Sequence, residues 1–304
     1  MIHVLKLGGG AGVDHAAVLE NLAARIRMGE QWVLVHGASD AANRLAEEVG
    51  YPAQTITTPG GHTSRYTDAR TIEIFSAAAG SVNQQITAQL ASHGVNAVGL
   101  AGPNVIHARR KTAIRAIRDG RQVIIRDDYS GTITGIHTDL LNTLLDARMT
   151  PVVAPLAMGE EHERLNVDGD LVAANIAREL HADTLIILSN VPGLLRDVND
   201  PQSLIPQFEL HEIEHYETYA AGRMKKKLLA AQQANAARVI LAVSRVERPI
   251  DTALAGGGTH ILAYPTPAVP VNGLREESAL MTPPLLAGEV GRGLTPTHNG
   301  AKGF

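Results

Sequence analysis

The sequence predicts an α/β protein, in which a mostly parallel central sheet lies between two layers of helices. Two observations support this prediction. Short apolar runs rich in β-branched residues alternate along the chain with longer helical stretches, and these runs are continuously apolar. Strands that are apolar on both faces are typical of a parallel sheet covered on both sides. The expected architecture is therefore a three-layer αβα sandwich.

Six strands and six helices are expected to build this sandwich. The predicted strands are Ile2–Leu7, Trp32–His36, Ala97–Leu100, Pro151–Ala157, Thr184–Leu188 and Arg238–Val243. The predicted helices are Asp14–Met28, Ala41–Val49, Tyr66–His93, Asp139–Arg148, Asp168–Leu180 and Met224–Asn235. Residues 263–304 show little periodicity and much Pro, Gly, Thr and Ala, so a disordered or loosely packed tail is expected there.

Residues 105–137 interrupt the alternation and predict a β-hairpin insertion. Ala113–Arg118 and Gln122–Asp127 are the candidate hairpin strands, with Gly131–Thr134 as a third strand. Asp119-Gly120 lies between the first two, and Asp-Gly is a strong hairpin turn signal. The segment is interpreted as an antiparallel insertion at one edge of the parallel sheet.

Length and composition restrict the possible functions. The chain has 304 residues, enough for one large α/β domain or two coupled lobes. It has no cysteine, which excludes disulfides, thiolate nucleophiles and cysteine-ligated metals. The net charge of −4 gives no overall attraction to nucleic acid or membrane. No apolar run approaches the roughly 20 residues of a membrane helix, and the N-terminus does not read as a signal peptide, so a cytoplasmic location is expected.

Two glycine-containing turns follow the first two predicted strands: Lys6-Leu7-Gly8-Gly9-Gly10 and His36-Gly37-Ala38-Ser39. Parallel strands end at the same edge of a sheet, so both turns can face one crevice. Glycine N–H groups and a lysine at a strand end suit an anion. The first string matches neither the Walker pattern nor the dinucleotide fingerprint. Taken alone, a glycine-rich turn is weak evidence for phosphate binding and is more often a simple connection, and a lone histidine such as His36 is more often structural than catalytic.

Four further segments carry residue types suited to charged ligands: Ser64–Asp68, Leu165–Asp170, Ser189–Leu195 and Gly222–Lys227. An arginine such as Arg65 can grip a carboxylate with two hydrogen bonds. Asp170 can orient lysines around a phosphate, although Asp168 and Asp170 also suit a helix cap and first turn. Three consecutive lysines near a helix N-terminus oppose the helix dipole, so helix propensity does not explain them. A solvated charged face is the ordinary alternative.

The order of these strings resembles the amino acid kinase family over residues 1–262, and within it the acetylglutamate kinases. Five strings are similar to the branch of that family whose substrates are attached to a carrier protein: Pro59-Gly60-Gly61, Ser64–Asp68, Leu188–Leu195, Gly222–Lys227 and Arg245–Ile250. One departure is Ala38, where acetylglutamate kinases usually have a second glycine after His-Gly. Alanine resists a positive φ, whereas Ser39 after it is similar to the carrier-dependent branch.

The resemblance implies a role for each matched position. Lys6 and Lys227 would stabilise the transferring phosphoryl group, and Asp170 would hold them in place. The residues implied to bind the amino-acid substrate are Gly37, Ala38, Arg65 and Asn166. Those implied to bind ATP are Gly8, Gly9, Ser189, Asn190, Gly193, Leu195 and Met224, with the glycines donating N–H groups to phosphate. ATP and Mg²⁺ are the implied cofactors, and no metal-ligating residue is implied.

The carrier-dependent branch implies a defined substrate and partner. Its substrate is 2-aminoadipate joined through its amino group to LysW, a small acidic protein of lysine biosynthesis, and its product is an acyl phosphate. Residues 1–180 would form the acyl-substrate lobe and residues 181–262 the ATP lobe, in a homodimer. A basic cluster near the predicted hairpin suits an acidic partner, although exposed hairpins are often simply charged: Arg109, Arg110, Lys111, Arg115, Arg118, Arg121 and Arg126.

Three alternatives to this function remain open. The first is an acetylglutamate kinase of arginine biosynthesis, and the second is a kinase of both LysW-linked aminoadipate and LysW-linked glutamate. The third is a catalytically silent regulatory protein on the same fold. The joint presence of Lys6, Asp170 and Lys227 argues against the third.

Overall fold

The computed structural model describes residues 1–61, 63–118 and 121–263. The strands are β1 (Ile2–Leu7), β2 (Gln31–His36), β3 (Thr55–Thr57), β4 (Thr63–Arg65), β5 (Ala97–Leu100), β6 (Ile106–Arg110), β7 (Ile114–Arg118), β8 (Arg121–Ile125), β9 (Gly131–Ile136), β10 (Thr150–Val153), β11 (Leu156–Met158), β12 (Arg164–Asn166), β13 (Thr184–Ser189), β14 (Gln207–Glu209), β15 (Arg238–Val243) and β16 (Thr259–Leu262). The helices are α1 (His15–Arg27), α2 (Ser39–Glu48), α3 (Ala69–Ser92), α4 (Thr138–Asp146), α5 (Gly169–Glu179), α6 (Ile213–Glu217), α7 (Arg223–Ala234) and α8 (Pro249–Leu254).

The largest sheet has eight strands in the order β14-β16-β15-β13-β1-β2-β10-β5. Neighbouring strands in it are parallel except for β15 and β16. The predicted α/β fold with a mostly parallel central sheet is therefore confirmed. At its centre, Leu7 of β1 lies opposite both His36 of β2 and Leu188 of β13. Three neighbouring strands thus end at the same level, which places the segments after them side by side.

Helices cover both faces of this sheet. Val4 packs into one core cluster with residues of α5 and α7, whereas Leu5 and Leu7 pack into another with residues of α1 and α3. Successive side chains of a strand point to opposite faces, so a continuously apolar strand serves both cores. Each fully buried leucine contributes roughly 2 kcal/mol of hydrophobic free energy. The two cores fix α5 and α7 on the same side of β1.

The predicted strand Pro151–Ala157 is broken into β10 and β11, which belong to different sheets. Pro155 has no N–H group, and the Leu156 N–H donates to the Ala154 carbonyl at 2.9 Å. Because a proline cannot donate to a strand ladder, the chain turns at this point instead of continuing the central sheet. β11 then enters a small sheet of order β12-β11-β6-β9.

The predicted hairpin is present as the antiparallel pair β7 and β8, with Arg118 opposite Arg121. It belongs to a second small sheet of order β4-β3-β7-β8, so the prediction that it extends one edge of the parallel sheet is wrong. The third predicted strand of this region, now β9, instead pairs with β6, so the insertion contributes to two sheets. The predicted Asp119-Gly120 turn lies outside the described residues, as does the predicted 263–304 tail apart from Ala263. Within the described ranges, no helix is both long and apolar enough to cross a membrane.

Six of the helices in the described ranges end in the same backbone motif. In α1 to α5 and in α8, the second residue after the helix has a positive φ: Gly29, Gly50, Gly94, Arg148, His181 and Gly256. The next residue then donates its N–H back into the last turn, as Ala182 does to the Ala177 carbonyl at 2.8 Å. A side chain in this left-handed conformation costs roughly 1 kcal/mol, which glycine avoids. Arg148 and His181 are the two positions of the six where this cost remains.

We expect His181→Gly to raise the free energy of unfolding by about 0.5–1 kcal/mol, because glycine adopts the φ of 49° at this position without strain. Gly94→Ala is the matched control. It has the same role after α3, with a φ of 78° and open space around a new methyl group, and it is expected to lower stability by a similar amount. Urea denaturation followed by circular dichroism measures both. Loss of stability in both variants would contradict the strain argument.

Candidate active site

The turns after β1 and β2 lie in direct backbone contact. A Cβ atom added to Gly9 would lie 2.1 Å from the carbonyl carbon of Gly37, so only glycine fits there. The Gly8 N–H donates to the Leu188 carbonyl at 3.0 Å, and the Gly37 N–H to the Leu7 carbonyl at 2.8 Å. The Gly8 N–H is thus used within the sheet in this conformation, and its implied role as a phosphate donor stays a prediction. The Gly9 N–H has no partner among the described residues.

The three residues implied to be catalytic meet beside these turns. Asp170, at the start of α5, places one carboxylate oxygen 2.7 Å from Lys6 Nζ and the other 3.1 Å from Lys227 Nζ. Lys6 comes from β1 and Lys227 from the first turns of α7. All three are buried, with 9, 7 and 7 % of their surface exposed for Lys6, Asp170 and Lys227. The contact with Lys6 is an ion pair outside good hydrogen-bond angles.

This cluster carries a net positive charge, because one carboxylate faces two ammonium groups. Burial alone would raise the pKa of Asp170, but the charges of Lys6 and Lys227 hold it well below its usual range. Burial lowers the pKa of Lys227; Asp170 opposes this effect and Lys6 adds to it. A buried excess positive charge is stabilised by a bound anion. The residues present therefore fit the phosphate groups of a nucleotide.

A second ion pair lies next to the first. Lys226 Nζ is 3.1 Å from Asp168 Oδ2, and Asp168 Oδ1 accepts the N–H of Asp170 at 2.9 Å. The cap formed by Asp168 was predicted from the sequence, but its pairing with Lys226 was not. One sequence signal could have indicated that Lys226 belongs to the site: four of the six lysines in the chain, Lys6, Lys225, Lys226 and Lys227, occur in the two strings assigned to it.

His36 is a structural residue. It has no exposed surface, and its Nε2 accepts a hydrogen bond from Asn83 Nδ2 at 3.1 Å. Burial lowers the pKa of His36 to about 4, so the ring is neutral at pH 7. Next to it, Ala38 has a φ of −136°, which alanine adopts freely. The substitution of alanine for the usual glycine is therefore compatible with this turn.

The residues implied to bind the amino acid, Arg65 and Asn166, are joined by Thr67. Asn166 Nδ2 donates to Thr67 Oγ1 at 3.1 Å, and the Thr67 hydroxyl donates to the Arg65 carbonyl at 3.3 Å. The Arg65 guanidinium donates to the Ser39 carbonyl and to Asn43 Oδ1. Within the part of the chain that the structure describes, it has no carboxylate partner. Arg65 and Asn166 are thus neighbours in the structure, and their binding of the α-carboxyl end of the substrate stays a prediction.

Arg223 lies beside the glycine turn and acts on Arg65 through its charge. Its Nη1 lies 3.5 Å from the position that a Cβ atom on Gly10 would occupy. Burial lowers the pKa of Arg65, and the charge of Arg223 adds to the effect. Two cations that repel each other beside the lysine cluster again favour a bound anion.

The residues implied to bind ATP are only partly brought together. Ser189 ends β13, with its Cα 3.6 Å from where a Cβ atom on Gly8 would lie, and Met224 is the second residue of α7. Asn190, the next residue after Ser189, is exposed. Gly193 has a φ of 156°, and a Cβ atom there would lie 2.5 Å from Thr259 Oγ1, so packing requires this glycine. Leu195 pairs with Leu204 in an isolated bridge.

A cavity of about 200 Å³ opens beside the two turns and is lined in part by Gly9, Gly10, Gly12, Gly37 and Ala38. A larger cavity, of about 310 Å³, lies around Glu73, Tyr129 and Arg164 and contains none of the predicted site residues. Cavity size alone would therefore select a different region. The candidate site is the smaller cavity, because the glycine turns line it and the buried lysines and Asp170 lie beside those turns.

Comparison with known proteins agrees with this geometry. Residues 1–243 match the amino acid kinase family. The chain belongs to this family. As a family member it is a phosphotransferase that uses ATP and a carboxyl-type acceptor. The resemblance predicted from the order of the motifs is confirmed.

Several relatives are similar over most of their length. A [LysW]-aminoadipate kinase of Deinococcus radiodurans is 43 % identical over 264 residues, which is 85 % of this chain and 90 % of that protein. A [LysW]-aminoadipate kinase of Thermus thermophilus is 40 % identical over 266 residues, 85 % of this chain and 99 % of that protein. A Cenarchaeum symbiosum protein provisionally named [LysW]-aminoadipate/[LysW]-glutamate kinase is 38 % identical, covering 73 % of this chain and 85 % of its own length.

Solved structures support the fold. N-acetylglutamate synthase of Neisseria gonorrhoeae has a TM-score of 0.71 at 23 % identity, covering 86 % of this chain and 59 % of that one. Carbamate kinase of Giardia lamblia, solved with AMP-PNP, has a TM-score of 0.61 at 17 % identity, covering 86 % and 98 % of the two chains. At these identities the similarity shows the fold alone.

The buried neutral His36 predicts a pH dependence of stability. Its pKa is about 4 when folded and about 6.5 when unfolded, so the unfolded state takes up the proton first as pH falls. The stabilising contribution is complete above pH 6.5 and is lost progressively down to about pH 4. The free energy of unfolding should fall by about 3 kcal/mol more across this range in the native protein than in His36→Gln. Parallel curves for the two proteins in urea titrations at each pH would contradict this.

Proposed function

We propose that this protein transfers the γ-phosphate of ATP to the side-chain carboxylate of 2-aminoadipate attached to LysW, giving an acyl phosphate in lysine biosynthesis. The observation that carries the reaction class is the buried cluster of Lys6, Asp170 and Lys227 at the ends of the central strands. The substrate is inferred from the two relatives named [LysW]-aminoadipate kinase, at 43 and 40 % identity.

The chemistry needs charge and alignment more than proton transfer. A carboxylate is already a nucleophile at neutral pH, so no general base and no serine, histidine or cysteine nucleophile is required. One carboxylate oxygen bonds to the γ-phosphorus while the bond from that phosphorus to the β–γ bridging oxygen breaks, and ADP leaves. Fixed positive charge near the phosphoryl oxygens lowers this barrier. In this proposal Lys6 and Lys227 supply it from positions set by Asp170.

Mg²⁺ bound with ATP would add further positive charge at the phosphate groups. No group of three or more His, Asp or Glu residues suited to a metal ion occurs among the described residues. Both oxygens of Asp170 contact lysines. The residues therefore fit Mg²⁺ as a companion of the nucleotide, held mainly through phosphate oxygens.

The two sides of the site divide the remaining roles. Residues 1–180 would bind the acyl substrate, with Arg65 and Asn166 at its α-carboxyl end and with Gly37 and Ala38 beside it. Residues 181–262 would bind ATP, with Ser189 and Met224 near the glycine turn. The Arg65 guanidinium suits a carboxylate, because it is half-buried and lacks an acidic partner among the described residues. A cytoplasmic homodimer, expected from the family, is part of the proposal.

The hairpin β7–β8 offers a surface for the acidic carrier. Arg115 lies opposite Ile124 and Ile117 opposite Gln122, so these four share the outer face. Ile117 and Ile124 are 44 and 57 % exposed. The exposed basic residues without a carboxylate partner, within the described part of this region, are Lys111, Arg115, Arg121 and Arg126.

Two members of the predicted basic cluster are used within the protein. Arg110 stacks on the Tyr129 ring at 3.7 Å and donates to the Asp128 carbonyl. Arg109 pairs with Glu160 at 3.2 Å. Of the other five, the side chain of Arg118 lies outside what the structure describes. We therefore restrict the docking proposal to Lys111, Arg115, Arg121 and Arg126 and the two isoleucines. Complementary charge of this kind mainly raises the association rate.

Action on LysW-linked glutamate is the second candidate. It is favoured by the relatives between 34 and 38 % identity whose provisional names include both substrates. The two substrates differ by one methylene group, which a pocket discriminates by only about 1–3 kcal/mol. Both belong in the same experiment.

We expect hydroxylamine to trap an acyl phosphate when the native protein is incubated with ATP, Mg²⁺ and LysW-linked aminoadipate. In the same assay, we expect Lys227→Ala to lower kcat at least 100-fold. The physical reason is loss of a fixed charge at the phosphoryl group. The ATP dissociation constant should change much less, since other contacts to the nucleotide remain. LysW-linked glutamate and free N-acetylglutamate are assayed alongside.

Lys225→Ala is the control for this experiment, because Lys225 is exposed on the same helical turn. Near-native turnover in Lys227→Ala would remove the phosphoryl-transfer assignment. A strong signal with free N-acetylglutamate alone would move the protein to arginine biosynthesis.

We expect Arg115→Glu and Arg126→Glu each to slow the association of LysW about tenfold at low salt and to flatten its salt dependence. Surface plasmon resonance at several salt concentrations measures both effects. Arg27→Glu, an exposed arginine at the end of α1, is the control and should associate as the native protein does. Equal rates in all four proteins would exclude the hairpin as the docking surface.

A further inference from the structure

Helix α7 begins with a run of cations that its own dipole disfavours. Arg223, Lys225, Lys226 and Lys227 all lie in its first five residues, where the helix end is already partly positive. Two of these charges are matched across the helix interface. Lys226 meets Asp168 at 3.1 Å and Lys227 meets Asp170 at 3.1 Å. The N-termini of α5 and α7 are thus tied together by two parallel ion pairs.

Asp168 uses its two oxygens for two different elements. Oδ1 accepts the backbone N–H groups of Asp170 and Leu171, at 2.9 and 3.4 Å, and so caps α5. Oδ2 contacts Lys226 on α7. An exposed ion pair usually contributes little, because both side chains lose freedom when they pair. Here the carboxylate is already fixed by the cap, so the pair with Lys226 orders only one side chain.

Lys226 and Lys227 are adjacent, so fixing the first also restricts the second. The charged groups that act on the Lys227 ammonium are Lys6 from β1 and Asp170 and Asp168 from the start of α5, while the neighbouring Lys226 pairs with Asp168. Burial lowers the pKa of Lys227, and both aspartates oppose that effect. Asp168 therefore favours the charged form of Lys227 without touching it.

We propose that Asp168 and Lys226 are positioning residues for phosphoryl transfer, holding the start of α7 against the start of α5 so that Lys227 stays aligned with Asp170. This inference rests on the proposed function, because it assigns the ion pair a purpose in that reaction. A structural cap alone would need the Oδ1 bonds of Asp168 and not its charge or Lys226.

Asp168→Asn separates these two roles, because asparagine caps helices as well as aspartate does but carries no charge. We expect kcat to fall about tenfold in Asp168→Asn and in Lys226→Gln, with the KM for ATP changed less than about threefold. A displacement of a catalytic group by 1 Å is sufficient for a loss of this size. Lys225→Gln removes an equal charge from the same turn and should keep native kcat.

The second readout needs no substrate. The protein has six lysines, so ¹³Cε-lysine labelling gives a small set of NMR signals, each assignable by substitution. The titration midpoint of Lys227 should move down in Asp168→Asn, which removes a neighbouring negative charge, and up in Lys226→Gln, which removes a positive one. A loss of kcat in both variants despite opposite shifts would identify misalignment as the cause.

Thermal unfolding of each variant checks the fold, and Asp168→Ser, which also retains a cap, replaces Asp168→Asn if the latter unfolds. Native kcat in Asp168→Asn, or an equal loss in Lys225→Gln, would overturn the proposal. If the native protein phosphorylates none of the carrier-linked substrates, the proposed function fails. In that case the NMR titration still tests the inference. An unchanged titration midpoint of Lys227 in both variants would show that Asp168 and Lys226 do not act on Lys227.

Discussion

A single buried carboxylate with two ammonium partners governs the arrangement of this protein. Asp170 lies on α5, Lys6 on the central strand β1 and Lys227 on α7, so three elements distant in sequence must meet within about 3 Å. Burying charges is costly, and removal of one partner leaves another uncompensated. The parallel sheet and the core that packs α5 and α7 on one face of β1 meet this requirement. The packing of the sheet and helices thus sets the positions of these charged groups, and the crevice lies beside them.

The crevice itself depends on how closely two turns approach. Because Gly9 and Gly37 are in backbone contact, the ends of β1 and β2 form one continuous surface beside the lysines. The same closeness commits the N–H groups of Gly8 and Gly37 to the sheet. His36 supports the turn from beneath as a neutral buried ring bonded to Asn83. The two buried ammonium groups beside this turn, with one carboxylate between them, suit a ligand that supplies negative charge.

Sequence reasoning anticipated the elements with strong periodicity and the residues with a family role. The parallel strands, the long helices and the group of Lys6, Asp170 and Lys227 were predicted because apolar patterning and motif order are local signals. Long-range pairing was not predictable in this way. The short strands β3 and β4 have little apolar pattern. The break at Pro155 separates two sheets only because β11 pairs with β6, which is distant in sequence. The stacking of Arg110 on Tyr129 and the pairing of Lys226 with Asp168 arise from tertiary packing, which a charge run alone does not reveal.

The hairpin has one more physical consequence. Among the described residues, β8 is the last strand of its sheet, and Ile124 on it is largely exposed. An open strand edge with exposed apolar residues tends to pair with the same edge of another molecule. Arg121 and Arg126 flank this edge, so two copies brought together there would repel each other. The basic residues thus oppose edge-to-edge association of two copies, and they also favour binding to acidic surfaces. A related chain without an acidic partner would therefore still gain from retaining these charges.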